Sequence, residues 1–250
     1  MKHLFRRMAA IATIALSAGA AQATLIDFEQ PVGGPAAPFA PFLTHGDEFL
    51  QGSYAFDPFS NAANAQFGDL VGAMINGSDL STCFSVLCPS NNASTFLGTL
   101  NDGVVAFSRT DGQTFSVNGF DASFLGASGA TLPAVSGLLR LQGVTATGAS
   151  MTQTFSLAGP DTSGALGFSN FHTTGSFAST QFATVYAFGF ACSAGGACNA
   201  FSTDRGQFAL DNINVTTAVP EPETTAMFAM GLLAMGAAVR RRRKQQQKSV

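Results

Sequence analysis

The sequence predicts an all-β fold, a single antiparallel β-sandwich, and three observations carry that prediction. Between residues 24 and 219 no stretch repeats apolar residues at helical spacing; short runs rich in Phe, Val and Thr alternate with polar residues instead. These runs are cut by Gly, Asn, Asp and Ser, the residues that turns select. The span is long enough for one large β domain or two small ones, and neither an internal repeat nor a linker divides it.

The expected strands follow in chain order. Residues 25–29, 53–56 and 104–108 are short runs of this kind. Residues 113–124 alternate through Phe115 and Val117 to a kink at Gly119. Residues 138–147 and 151–157 alternate on either side of Gly148-Ala149-Ser150, the pattern of a hairpin. Residues 181–190 and 207–215 complete a set of roughly eight or nine strands, as in a two-sheet sandwich. Residues 31–41 are Pro-rich and irregular, and a short helical turn is expected within residues 62–74. With 24 Phe, 2 Tyr and no Trp, the core must be built largely from Phe.

Both ends of the chain read as addresses rather than fold. Lys2, Arg6 and Arg7 precede an apolar run over residues 8–20 and a small-x-small site at Ala21-Gln22-Ala23. That is the pattern of a signal peptide over residues 1–23, with a mature start at Thr24. At the other end stand Pro220-Glu221-Pro222, an apolar run over residues 226–239, and the basic cluster Arg240-Arg241-Arg242-Arg243-Lys244. The prolines keep the motif extended. The apolar run is shorter than the roughly 20 residues that span a bilayer comfortably, and the arginines favour the cytoplasmic side. This arrangement over residues 219–244 resembles the PEP-CTERM sorting signal of Gram-negative bacteria. The resemblance implies recognition of Pro220, Glu221 and Pro222 by an exosortase, a short transmembrane sorting helix, and a polar cytoplasmic tail over residues 245–250. It also implies export by the general secretory machinery, passage through the inner membrane, and delivery to the cell surface or an exopolysaccharide-containing matrix.

Removing both ends changes the charge balance. Residues 24–219 hold three basic residues, Arg109, Arg140 and Arg205, against thirteen acidic ones, a net charge of −10 without a lysine. A surface of this kind excludes nucleic acid as a partner, because phosphate recognition needs clustered Lys and Arg. It favours solubility and tolerates divalent cations. Four cysteines, Cys83, Cys88, Cys192 and Cys198, all lie in the exported part, where disulfides are the default. Of the three possible pairings the local one, Cys83–Cys88 with Cys192–Cys198, is expected, since each pair flanks a short loop.

A search for chemistry narrows the function. The mature span has only His45 and His172 and no Gly-x-Ser-x-Gly elbow. Asp47-Glu48 is its one adjacent acidic pair, and paired carboxylates are what glycoside hydrolysis uses. No catalytic residue is assigned. Tyr54 and Tyr186 are the only Tyr or Trp side chains available as sugar platforms. Residues 26–29 and 208–215 are similar to the bracketing strands of PEP-CTERM β-sandwich proteins and of carbohydrate-binding jelly-roll modules. The resemblance implies a jelly-roll-like sandwich with first and last strands side by side, and a structural calcium held near Glu29 and Asp211. Calcium prefers such clustered oxygen ligands. No other cofactor is expected. The first expected function is a non-catalytic structural or adhesive matrix protein; the second is a carbohydrate-binding module, and the third a secreted hydrolase. An acidic cluster near a Tyr on one sheet face would favour sugar binding.

Overall fold

A computed structural model describes residues 22–33, 41–84, 86–203, 205–217 and 231 of the chain. Residues Ala23–Ala218 form one compact unit. The residues of the expected signal peptide up to Ala21, and of the sorting signal apart from Gly231, lie outside the described residues.

In chain order the strands are β1 (Gln22–Ile26), β2 (Val32–Gly33), β3 (Phe42–Thr44), β4 (Phe49–Gln51), β5 (Tyr54–Ser60) and β6 (Leu70–Asn76). Then come β7 (Val86–Leu87), β8 (Thr95–Thr99), β9 (Gly103–Arg109), β10 (Phe115–Phe124), β11 (Gly126–Ala127) and β12 (Val135–Val144). The last are β13 (Ser150–Ala158), β14 (Ser169–His172), β15 (Thr184–Cys192), β16 (Cys198–Asn199) and β17 (Phe208–Thr217). One helical turn, α1 (Gly175–Ser179), precedes β15.

The strands build two main sheets. One is seven-stranded, in the order β14-β10-β17-β8-β6-β3 with β1 beside β17; the other is eight-stranded, in the order β13-β12-β15-β9-β5-β4-β2 with β16 beside β15. The expected neighbourhood of first and last strands is thus present. The expected hairpin is β12–β13, closed where Thr145 N–H donates to the Ala149 carbonyl at 2.9 Å and Gly148 takes a φ of 84°.

The sheets meet over a core of Phe. Strand alternation turns Tyr54 and Phe56 of β5, Val185 and Ala187 of β15, and Leu139 and Leu141 of β12 inward. Opposite them, Phe115, Val117, Phe120, Leu210 and Ile213 come from the seven-stranded sheet and complete the same cluster. Ring contacts run continuously through it. Phe28 meets Phe56 at 5.2 Å, Phe56 stacks on Phe107 at 5.4 Å, and Phe107 meets Phe115 at 5.6 Å. Each such burial contributes about 1.5–3 kcal/mol, so the absence of Trp costs the core little.

The helical turn expected within residues 62–74 is corrected by strand β6, with only turns before it. Val71, Gly72, Ala73 and Ile75 are all buried, because β6 lies inside its sheet between β3 and β8 and is covered on both faces. A strand covered in this way loses the alternation that would betray it. Strands β3, β4, β8 and β14 also had no counterpart in the expectation.

Candidate functional site

The two predicted cation ligands converge on one segment. Strand β17 pairs with β8 through Ala209↔Gly98 and Leu210↔Leu97, and Asp211 is the next residue. There its carboxylate accepts hydrogen bonds in place of a strand. Asn92 Nδ2 donates to Oδ2 at 2.7 Å, Ser94 Oγ to Oδ2 at 2.9 Å, and Asn212 N–H to Oδ1 at 2.8 Å. Glu29 reaches the same segment, where its Oε1 accepts from Thr95 N–H at 2.8 Å. Asp121 accepts from Asn170 Nδ2 at 2.8 Å and Asn212 Nδ2 at 2.9 Å. Asp211 is 0 % exposed, and this burial pushes its carboxyl pKa up; the Asn92, Ser94 and Asn212 donors oppose the rise, and the Asp121 charge adds to it. Protein donors therefore hold both oxygens of Asp211. Among the described residues no group of three or more His, Cys, Asp or Glu side chains is gathered in a way that could hold a metal.

A second site lies on the outer face of the eight-stranded sheet and was not legible as a unit in the sequence. The alternation that sends Tyr54, Phe56, Val185 and Ala187 inward sends Ala55, Asp57, Phe59, Thr184, Tyr186 and Phe188 outward. Together with Ser108, His45, Gly46 and Glu48, several of these line an open hollow of about 630 Å³. Phe59 and Tyr186 also line a neighbouring hollow of about 250 Å³, whose other walls include Asn61, Gln142, Phe188 and Phe201. The two hollows adjoin at Phe59 and Tyr186, side by side across β5, β9 and β15, and together are termed the groove.

Its rings come from β5, β15 and the segment after β16. Phe59 and Tyr186 meet edge to face at 6.3 Å, Phe188 packs on Phe201 at 5.3 Å and on Phe190 at 5.7 Å, and the Arg140 guanidinium lies 4.7 Å above the Phe190 ring. At the rim Phe67 is 84 % exposed, and its ring occupies the space that a Cβ at Gly46 would need. Loss of hydration in the hollow raises the Asp57 pKa, and the Glu48 charge adds to this; His45 works against both. His45 Nδ1 accepts from Ser60 N–H at 3.1 Å, so in the neutral ring the proton sits on Nε2. The result is an aromatic groove edged by two carboxylates and an imidazole.

The remaining sequence candidates fall as follows. Tyr54 is 1 % exposed and belongs to the core; Tyr186 alone of the two tyrosines faces outward. His172 ends β14 in the other sheet. Asp47 Oδ2 accepts from both Thr44 N–H at 2.6 Å and Thr44 Oγ1 at 2.9 Å, so it secures a turn while its neighbour Glu48 lines the groove. Cys83 pairs with Cys88 and Cys192 with Cys198, the local arrangement. A further hollow of about 560 Å³ lies between the loop after β11 and the Cys192–Cys198 loop. Its walls include Leu132, Pro133 and Ala197, with Arg205 as its only charged group among the described residues.

Residues 218–243 match the PEP-CTERM protein-sorting motif. The chain carries a PEP-CTERM sorting signal. This motif implies export, transient anchoring in the membrane through the C-terminal segment, and processing by an exosortase. No curated protein matches the chain. Among solved structures it is similar to the arabinose-bound α-L-arabinofuranosidase MgGH51, at 14% identity and a TM-score of 0.37 over 80% of this chain. TmCBM61 in complex with β-1,4-galactotriose is similar at 6% identity and a TM-score of 0.32 over 67% of this chain. The enzymatically active domain of bacteriophage CBA120 tailspike protein 4 is similar at 11% identity and a TM-score of 0.29, again over 67% of this chain. The chain spans 27% of the arabinofuranosidase, 90% of TmCBM61 and 20% of the tailspike domain.

Proposed function

We propose that this protein is an exported, exosortase-processed saccharide-binding β-sandwich, displayed at the cell surface or in an exopolysaccharide matrix and without catalysis of its own. One observation carries the reading: the groove in which Tyr186 and Phe59 stand beside Asp57, Glu48 and His45. Sugar rings present apolar C–H faces and equatorial hydroxyls. Aromatic faces take the former, and carboxylates, imidazole and amide groups take the latter. A purely structural role would need only a smooth polar face. The groove is open along the sheet, which suits an internal stretch of a polysaccharide. A surface-sorted domain with such a groove would tether matrix polysaccharide to the cell, which keeps the adhesive role within the same reading.

A glycan array probed with residues 24–218 tests it, followed by titration of each hit against Tyr186→Ala. Binding that is lost in this variant, with an unchanged melting curve, is the expected result. Absence of binding to every glycan, or hits that Tyr186→Ala leaves intact, would refute the assignment. Assaying the same hits for new reducing ends checks the absence of catalysis, since Glu48 and Asp57 are the carboxylates a hydrolase would recruit.

A further inference from the structure

An edge strand displays unpaired N–H and C=O groups that template pairing with another chain, and proteins blunt such edges with short strands, charges, proline or bulges. Among the described residues three of the four ends of the main sheets are stubs: β14 has four residues, β3 three and β2 two. The fourth end, β13, has nine. Its sequence, Ser150 to Ala158, holds no charge, no proline and no glycine. Its register against β12 runs without a break from Gly137↔Leu157 to Val144↔Ser150. Among the described residues this edge strand carries neither charge nor proline, and the one register shift in its pairing, between Val135 and Gly137, lies at its very end.

Charge singles out the same edge. Two copies of a domain carrying −10 repel one another over most of their surface. Between Asp121 and Asp161, however, the chain has no acidic residue and a single cation, Arg140. That interval contains both β12 and β13, so the long edge coincides with a region free of acidic residues.

We propose that two copies of this chain associate by antiparallel pairing of β13 with β13 about a two-fold axis at Thr154, joining their larger sheets into one. The register that uses the whole strand sets Thr154 opposite Thr154, Thr152 opposite Ser156, Gln153 opposite Phe155 and Met151 opposite Leu157. Thr152, Thr154 and Ser156 are exposed and form a row of facing hydroxyls. On the other face Phe155 and Leu157 are buried and extend the apolar row of each core toward its partner. The strand is held ready for this. Arg140 Nε donates to Thr154 Oγ1 at 3.0 Å, and Gln153 exchanges hydrogen bonds with Thr174 at 3.0 and 3.2 Å. The contact is isologous and closes at the dimer. It lies at the β13 end of the sheet, one strand beyond Gln142 of β12, and does not depend on the saccharide reading.

The test is the mass of residues 24–218 in solution, measured by sedimentation or light scattering over a range of concentrations. Twice the chain mass is expected for the native protein. Thr154→Lys, which sets two ammonium groups directly opposite one another, should return the monomer. Thr154→Cys should form a disulfide-linked dimer under mild oxidation, since all four native cysteines are already paired; Ala194→Cys, on the Cys192–Cys198 loop, should not. A monomer at every concentration would overturn the proposal. So would a dimer that survives Thr154→Lys or fails to cross-link through position 154. If the lysine variant does not fold, the cysteine cross-link decides alone.

Discussion

Replacing Asp211 by Ala should destabilise the domain by about 2–4 kcal/mol. The side chain accepts from Asn92 Nδ2, Ser94 Oγ and Asn212 N–H, and truncation removes both acceptor oxygens and all three hydrogen bonds. Ser94 Oγ can still turn to Asn92 Oδ1, with which it already shares a short contact, so two donors are left orphaned. At about 1–3 kcal/mol for each orphaned buried donor the gross loss is about 2–6 kcal/mol. Part of this returns, because removing a buried carboxylate also removes its desolvation penalty. For a domain of this size each kcal/mol shifts the melting temperature by about 2–4 °C, so a fall of about 5–15 °C is expected. The pH dependence carries a sign of its own. The folded-state pKa of Asp211 lies above its unfolded value, so the native state binds the proton more tightly, and stability from this group is lost as pH rises through that window. The gap between wild type and variant should therefore widen as pH is lowered into the carboxylate range. Thermal melts of both proteins across pH measure this. A fall below about 2 °C would refute the account of a donor-held carboxylate, and a gap that narrows on acidification would refute the dominance of burial over those donors.

Calcium at Glu29 and Asp211 stands as a separate proposal: chelator should lower the melting temperature of wild type but not of Asp211→Ala, and identical curves would end it. Asp57→Asn should stabilise the domain at neutral pH, because the Asp57 pKa is raised by lost hydration and by Glu48; the advantage should vanish below the ordinary carboxylate range, as paired melts would show. Non-reducing peptide mapping should link Cys83 to Cys88 and Cys192 to Cys198, and reduction of either bond should cost about 2 kcal/mol, the value for closing so short a loop. A link between the two loops would contradict the fold. Glu221→Ala should leave the protein retained with its C-terminal segment, whereas mass spectrometry of released wild-type material should find a C-terminus that stops short of Lys248.

What could be read in the sequence was whatever repeats locally. The β12–β13 hairpin was legible because Gly148-Ala149-Ser150 separates two alternating runs, and β17 because Ile213 and Val215 alternate with Asn212 and Asn214 beyond Asp211. The meeting of chain ends followed from a resemblance, and β1 does lie beside β17. Strand β6 was hidden because burial on both faces removes polar residues from a strand. The groove was hidden for a different reason. Phe59 is far in the chain from Tyr186, Phe188 and Phe201, and in a sequence with 24 Phe nothing marks those that face outward. Only the inward placement of Tyr54, Phe56 and Val185 fixes their neighbours on the outer face. Asp211 illustrates the converse: its importance was anticipated, but the partners that hold it, Asn92 and Ser94, lie more than a hundred residues away.

The contrast between the two tyrosines has an optical consequence. With no Trp in the chain, emission excited beyond the Phe absorption band comes from Tyr54 and Tyr186 alone. One ring is sealed among Phe56, Phe115 and their neighbours, and the other stands in the open groove. Quenching by a small dissolved quencher should therefore divide the signal into a shielded half and an accessible half. The shielded half becomes accessible only when the core opens; the accessible half is the part that an occupant of the groove would cover. Folding and occupancy can be followed separately in the unlabelled protein.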